Sequence, residues 1–416
     1  MPADEPAAAP LEGTPSPNLP TRRSSFAGIG HDEMVRRARE LAPRLKERVP
    51  LTEELRRMPE ETERDLHRLG LFRIVQPQRV GGAELDIGVL IDVCAEIARV
   101  CPSTAWNIGN LASHHWMLGY FPPQAQDEIW DVSPDTLIAT SLAFPCGDGR
   151  KAEGGYVVSG RWPFSSGVDN SDWNMLAVTV READKAVDQR FALLHRSQYE
   201  IIDNWQALGL CGTGSKDIAA HAVFVPEYRT TALKSLVGGE HVGSRANPGP
   251  LFRLPFLAIG SYILTGVALG CAEGAYRGYV EAARRRNTTY TGTPAGAFQA
   301  VQIKVAEAAV RLEAAALMMR EDCRQATAIA AAGEVPGLAD KFRYRRNAAW
   351  TVRQCLEAVD LLMGLSGAGG LYTTNDMPRF FRDMHAVAAH IIYAFDVQAT
   401  MFGSHELGIP GPPPIL

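Results

Sequence analysis

The spacing of apolar residues changes period twice along this chain, and that change limits its fold more than any other feature. From about His31 to Trp130 the pattern is helical, with Leu55, Met58, Thr62 and Leu66 repeating at three and four. From Thr136 to about Thr231 it turns strand-like, in short runs punctuated by Gly, Asp and Asn. From Pro255 to His405 helix returns and dominates. The reading is a mainly α protein with a central antiparallel β-domain. Its parts are a disordered Pro/Ala/Ser-rich leader (1–28), an N-terminal helical domain (29–133), the β-domain (134–243), a C-terminal four-helix bundle (244–406) and a Pro-rich tail (407–416).

The first domain is predicted to hold helices over Asp32–Val49, Thr52–Leu69, Ile87–Val100 and Ala105–Leu118. Strands are expected at Tyr156–Gly160, Asn174–Val180, Arg190–Leu194 and Ala219–Val225. The bundle should consist of Phe256–Arg286, Phe298–Thr327, Asp340–Leu365 and Met377–Phe402. On its first helix, Gly260, Gly266, Gly270 and Gly274 would let other helices approach closely.

Composition serves mainly to exclude. Lys+Arg is 42 against Asp+Glu 47, so there is no basic excess of the kind nucleic-acid binders show. Mean hydropathy is −0.10, with no uninterrupted apolar run of membrane length, which argues against a transmembrane helix. The seven cysteines are scattered, odd in number and never spaced C-x-x-C. That argues against structural zinc or a disulfide framework and fits free thiols in a reducing cytoplasm. No G-x-G-x-x-G fingerprint follows a strand and no Walker loop is present, so a nicotinamide site on this chain is not expected.

Local stretches carry a resemblance. Asn204 to Ser215, followed by Val223-Phe224-Val225-Pro226, looks like the end of the β-domain of acyl-CoA dehydrogenases, and Leu365 to Tyr372 with Pro378, Arg379, Arg382 and Asp383 looks like their C-terminal segment. Three further places resemble one branch, the oxygenase components of two-component flavin-dependent monooxygenases: Gly212-Thr213-Gly214-Ser215-Lys216-Asp217, Trp162-Pro163-Phe164-Ser165-Ser166-Gly167, and Asp383 with His390 seven residues on. An acyl-CoA dehydrogenase needs a carboxylate base for the α-proton of its substrate. Neither Ala388-Ala389-His390-Ile391-Ile392 nor Leu254 to Gly260, where the family keeps it, contains an acid.

The resemblance implies an acyl-CoA dehydrogenase-like fold and a homotetramer. It also implies an oxygenase that receives reduced FMN (FAD being possible) from a separate flavin reductase and reacts it with O2 to a C4a-hydroperoxide. The substrate it implies is a small aromatic, a phenol first. Ser166 would bond near flavin N5, with Ser165 as its neighbour in the same turn. His390 would face the flavin pyrimidine edge as a cation or donor, with Asp383 two turns earlier on the same helix face and His385 on another. His115 and Ser141 would contact the substrate hydroxyl, with His114 adjacent to confuse the assignment. Arg253 could bind a substrate carboxylate, although an exposed loop arginine reads as well. Trp162, Thr213, Ser215 and Gly367 would line the flavin, and Arg286, in the run Arg284-Arg285-Arg286, its phosphate across a subunit boundary. The rival readings are an FAD-dependent acyl-CoA dehydrogenase-like oxidoreductase, a monooxygenase acting on indole, nitrogen or sulfur, and a non-catalytic binding protein on the same scaffold.

Overall fold

The computed structural model describes residues 25–410, so the leader up to residue 24 and the tail from 411 lie outside it. The fold includes residues before the expected boundary at 29: Phe26 is buried, and its amide donates to the carbonyl of Gly81. Helix α1 (His31–Leu55) runs past the predicted end at Val49 and tolerates Pro43 and Pro50. It stops at Arg56, in the left-handed region, and α2 (Glu60–Leu69) follows. The expected single helix from Thr52 is therefore two pieces. Met58, Thr62 and Leu66 of its stripe are buried, and Leu55 is exposed. α3 (Ile87–Ala98) and α4 (Pro102–Leu118) are core helices, and only Asn110 of α4 is not buried. α5 (Pro123–Trp130) leads into the sheet.

Eight strands form one sheet: β1 (Ile138–Ser141), β2 (Gly147–Ala152), β3 (Gly155–Ser165), β4 (Trp173–Glu182), β5 (Lys185–His195), β6 (Glu200–Ile202), β7 (Lys216–Pro226) and β8 (Thr230–Ala232). The order is β6-β7-β3-β2-β4-β5-β8, with β1 also on β4. The sheet is mixed rather than antiparallel. β1 and β2 lie end to end along one edge of β4, and both run parallel to it. β2 could not be read from alternation because it is Gly-Asp-Gly-Arg-Lys-Ala. A side chain on Gly147 would strike the Trp162 indole at 2.5 Å. Met175, Ala177, Phe191 and Leu193 join the helical core from one face of the sheet. Leu176, Val178, Ala192 and Leu194 build a second core on the other.

The C-terminal part contains α6 (Phe256–Ile259), α7 (Thr265–Arg285), α8 (Gln299–Ala331), α9 (Leu338–Ser366), α10 (Met377–Ala388) and α11 (Phe395–Glu406). The span Phe256–Arg285 is apolar enough to cross a bilayer by composition, yet 83% of its most apolar window is buried inside the fold. Gly266 and Gly270 explain how α3 gets so close: an added Cβ would meet the carbonyl oxygens of Ile91 and Ala95 at 2.3 and 2.1 Å. Gly274 meets Arg99 and Phe380 similarly, whereas Gly260 has ordinary room. The predicted last helix is broken between Ala388 and Phe395. Ile391 and Ile392 are β-branched. Tyr393 is buried and donates its hydroxyl to the Ser261 carbonyl at 3.1 Å, an anchor that a continuous helix would misplace.

Candidate active site

A bulge in β3 prepares the first half of the site. Pairing with β7 slips between Trp162 and Ser165, and the strain falls on Phe164, with φ at +62° and its ring 68% exposed. Ser165 then points inward and accepts from Asn174 Nδ2 at 2.8 Å. Ser166 instead faces α4, where Trp106 Nε1 donates to its Oγ at 3.0 Å.

From Ser166 a chain of hydroxyls runs through the Cys211–Ser215 loop. Ser166 Oγ lies 2.7 Å from Ser215 Oγ, which lies 2.7 Å from Thr213 Oγ1, which donates to the Leu210 carbonyl at 2.9 Å. An indole N–H can only donate, a carbonyl can only accept, and each hydroxyl has one proton. Only one arrangement makes all four bonds: Trp106 to Ser166 to Ser215 to Thr213 to Leu210. Ser166 thus spends its own proton inside the protein and keeps one lone pair as an acceptor.

Helix α10 holds that loop. Gly209 packs so tightly that a Cβ would sit 2.2 Å from the Arg382 carbonyl, and Asp383 Oδ1 accepts the Leu210 amide at 2.7 Å. Burial pushes the Asp383 carboxyl up to about 6, and Arg379 pulls against that. Asp383 and His390 do not share a helix face, because α10 ends at Ala388. His390 begins a separate turn in extended geometry, and its Nδ1 accepts the Ile392 amide at 3.3 Å. Its other nitrogen therefore carries the proton. Burial and the Arg345 charge lower its pKa to about 4, so of the two expected forms, cation or donor, it is the neutral donor near neutral pH. Trp106 sits between the two groups, with its ring centroid 5.9 Å from that of His390. His385 points elsewhere, to Asp360.

The second half of the site lies further along α4. His114 is committed to backbone, its Nδ1 bonded to the Ile138 carbonyl. His115 is wholly buried; its Nδ1 lies 3.2 Å from both Trp130 Nε1 and Gln76 Nε2, and its Nε2 has no protein partner. Burial and the neighbouring Arg73, His67 and His114 keep the imidazole well below its ordinary pKa. Ser141, closing β1, donates to the Pro163 carbonyl at 2.7 Å and so ties itself to the bulge before Ser166.

Four other expected positions also make contacts within the fold. Trp162 is a core residue of the sheet, its indole donating to the Ala177 carbonyl. Arg253 Nη2 holds the Gly333 carbonyl in the α8–α9 connection, which leaves it poorly placed to serve a substrate carboxylate. Arg286 caps the end of α9 through the carbonyls of Ser366 and Leu365. Gly367 follows at φ +57° and ψ −155°, a geometry only glycine adopts readily. Trp106, Trp130, Gln76 and Arg73 were not legible as site residues. Nothing in their local sequence separates them from packing residues, and only the fold brings their donors to bear.

Residues 31–130 match the family described as "Acyl-CoA dehydrogenase, N-terminal domain", and residues 262–395 match "Acyl-CoA dehydrogenase, C-terminal domain". The oxygenase subunit HsaA of a flavin-dependent monooxygenase from Mycobacterium tuberculosis is 33% identical over 371 residues, covering 89% of this chain and 94% of that one. The oxygenase component of an FADH(2)-dependent resorcinol hydroxylase from a Rhizobium species is 34% identical, covering 91% and 95%. Among solved structures, the 3-HSA hydroxylase of a Rhodococcus species superposes with a TM-score of 0.89 at 31% identity, covering 92% and 99%.

Proposed function

We propose the following activity for this chain, which belongs to the family of flavin-dependent monooxygenase oxygenase components built on acyl-CoA dehydrogenase-type domains: it takes reduced flavin from a separate reductase and uses O2 to hydroxylate a small phenol. Reduced flavin, held beside Ser166 and His390, would supply the activation of oxygen. The rest is the work of the chain's own residues.

The observation that carries the reading is the one-way hydroxyl chain ending at Ser166. Reduced flavin bears a proton on N5, and a buried site for it needs an acceptor there. Ser166 has that lone pair to give and no proton to interfere. Phe164 stands beside it with Trp205 at right angles, ring centroids 6.5 Å apart, an apolar wall suited to a flat heterocycle. Thr213 and Ser215 serve by orienting Ser166. His390 offers its Nε2 proton to negative charge on the flavin. On the substrate side, His115 donates to the phenol oxygen. Ser141, whose proton is spent on Pro163, accepts from the phenol hydroxyl. Arg286 and Gly367 adjoin at the end of α9, where a flavin phosphate can be held.

The resemblance points to reduced FMN, while the name of the Rhizobium hydroxylase supports FADH2. The "oxygenase component" names of the relatives support a separate reductase. Ile303, Val310 and Leu317 are exposed at seven-residue spacing along α8, and covering them with a second copy supports the homotetramer. All seven cysteines are unpaired, which supports a reducing, cytoplasmic setting.

The test mixes anaerobically reduced FMN, then FAD, and protein with oxygenated buffer and a panel of phenols. A flavin absorbance that outlasts the oxidation of free reduced flavin, and a product heavier by one oxygen atom, are expected. Oxidation at the free rate with both flavins and no oxygenated product would overturn the proposal.

A further inference from the structure

The partners of His115 decide what that residue can do, and they lie outside the site just proposed. Trp130 has only a donor to offer, so Nδ1 of His115 must present a lone pair to it. The second contact agrees. Gln76 Oε1 accepts from Arg73 Nε, and Gln76 Nε2 donates to the Pro134 carbonyl at 2.7 Å. A donor-only guanidinium on one side and an acceptor-only carbonyl on the other leave the amide one orientation, with its second N–H aimed at His115 Nδ1. Arg73 is itself fixed by Asp135 Oδ1 at 3.2 Å and the Val80 carbonyl at 2.7 Å. The imidazole proton is therefore on Nε2, the one nitrogen without a protein partner.

We infer that Arg73, Gln76 and Trp130 are positioning residues that lock His115 as the neutral Nε2–H tautomer, so that the site recognises an aromatic ring carrying a hydrogen-bond-accepting oxygen and takes no proton from it through His115. The inference deepens the proposed function and rests on its placing of His115 at the substrate. A general base at this position would need a free lone pair on Nε2, and there is none. Protonation at Nδ1 would set the new proton against two donors. The charged and titratable groups around the ring reinforce this: Arg73 from the loop after α2, His67 from α2 and His114 from α4 disfavour a cation, and the one carboxylate behind them, Asp135, is paired with Arg73 and His67. A phenol leaving its proton behind gives it to solvent, with Ser141 only accepting the hydrogen bond along the way. A substrate that brings only a donor to this position, such as an indole N–H, leaves the buried Nε2 proton unpaired, a penalty of roughly 10- to 100-fold in affinity.

Nitrogen NMR of the full-length protein labelled at histidine tests this without flavin or oxygen, the His115 signals being assigned by their loss in His115→Gln. The expected spectrum has Nδ1 bare and Nε2 protonated, unchanged from about pH 6 to about pH 8. Gln76→Glu replaces a donor with an acceptor and should move a proton onto Nδ1. Trp130→Phe, which removes one donor and leaves Gln76 in place, should keep the wild-type pattern and report on folding. With reduced flavin added, hydroxylation should acquire a histidine-like ionisation in Gln76→Glu that the wild type lacks. A protonated Nδ1 in the wild type, or a titration of His115 near its ordinary pKa, would overturn the inference. Failure of the flavin experiment above would leave the tautomer result standing and would count against the activity instead.

Discussion

His115 and His390 reach the same protonation pattern by opposite constructions. His115 sits on a core helix, wholly buried, with two side-chain donors on Nδ1 and an Asp135–Arg73–Gln76 relay behind one of them. His390 sits where a helix has broken, partly exposed, with one backbone amide at 3.3 Å on the same atom. Both carry the proton on Nε2. One is over-determined by its surroundings; the other depends on a six-residue irregularity that Tyr393 and Ser261 hold open. On the proposed assignment, a donor contacting substrate must hold its aim against varied ligands. A donor at a flavin edge meets the same ring each time and needs less support.

That contrast can be broken from either side. Removing the stiffer donor should cost most. His115→Ala is expected to lower hydroxylation about 10²- to 10³-fold, the range for deleting one preorganised donor. The long-lived flavin absorbance should still form, which stopped-flow absorbance with product analysis will separate. His390→Ala should act on the other half, slowing formation of that absorbance by about tenfold and leaving the ratio of hydroxylated product to released peroxide near wild type, since its Nε2–H is a single charge-facing bond.

A separate effect is on stability, and its sign follows from the buried histidines. His67, His114 and His390 have pKa values lowered to about 4 by burial. Below the ordinary value of 6.5 the unfolded chain binds protons that the folded chain refuses, so stability falls as pH drops from there. Asp383, raised to about 6, works the other way: the folded chain holds a proton that the unfolded chain releases. The fully buried His114 and His115 and the nearly buried His67 outweigh it, and stability at pH 5 should be lower than at neutral pH by on the order of a few kcal/mol. Urea unfolding at a series of pH values checks this, and a stability that is flat or rising toward pH 5 would refute it.

Much of the architecture was legible because period follows burial. The strands at Tyr156–Gly160, Asn174–Val180, Arg190–Leu194 and Ala219–Val225 all fall within observed strands. The glycines of α7 do admit α3. What was not legible arises from tertiary competition. β1 and β2 carry no alternation, since one is four buried residues and the other needs glycine to clear Trp162, so their parallel pairing with β4 left no trace. The break at His390 has neither Gly nor Pro to mark it. Motif resemblance brought Ser166, Thr213, Ser215, Ser141, His115 and His390 into view. It could not say which way the protons point, because that is set by Trp106, Trp130 and Gln76, each distant in sequence from the residue it orients.

Ser166 is an acceptor with no proton to spare, and the site depends on it. The most direct test is the lifetime of the flavin absorbance in Ser166→Ala, measured in the stopped-flow instrument without any aromatic substrate. The lifetime should shorten about tenfold or more, with hydrogen peroxide released in step, as loss of one buried hydrogen bond to a reacting group implies. A wild-type lifetime in this variant would contradict the role of the hydroxyl chain and the site built on it.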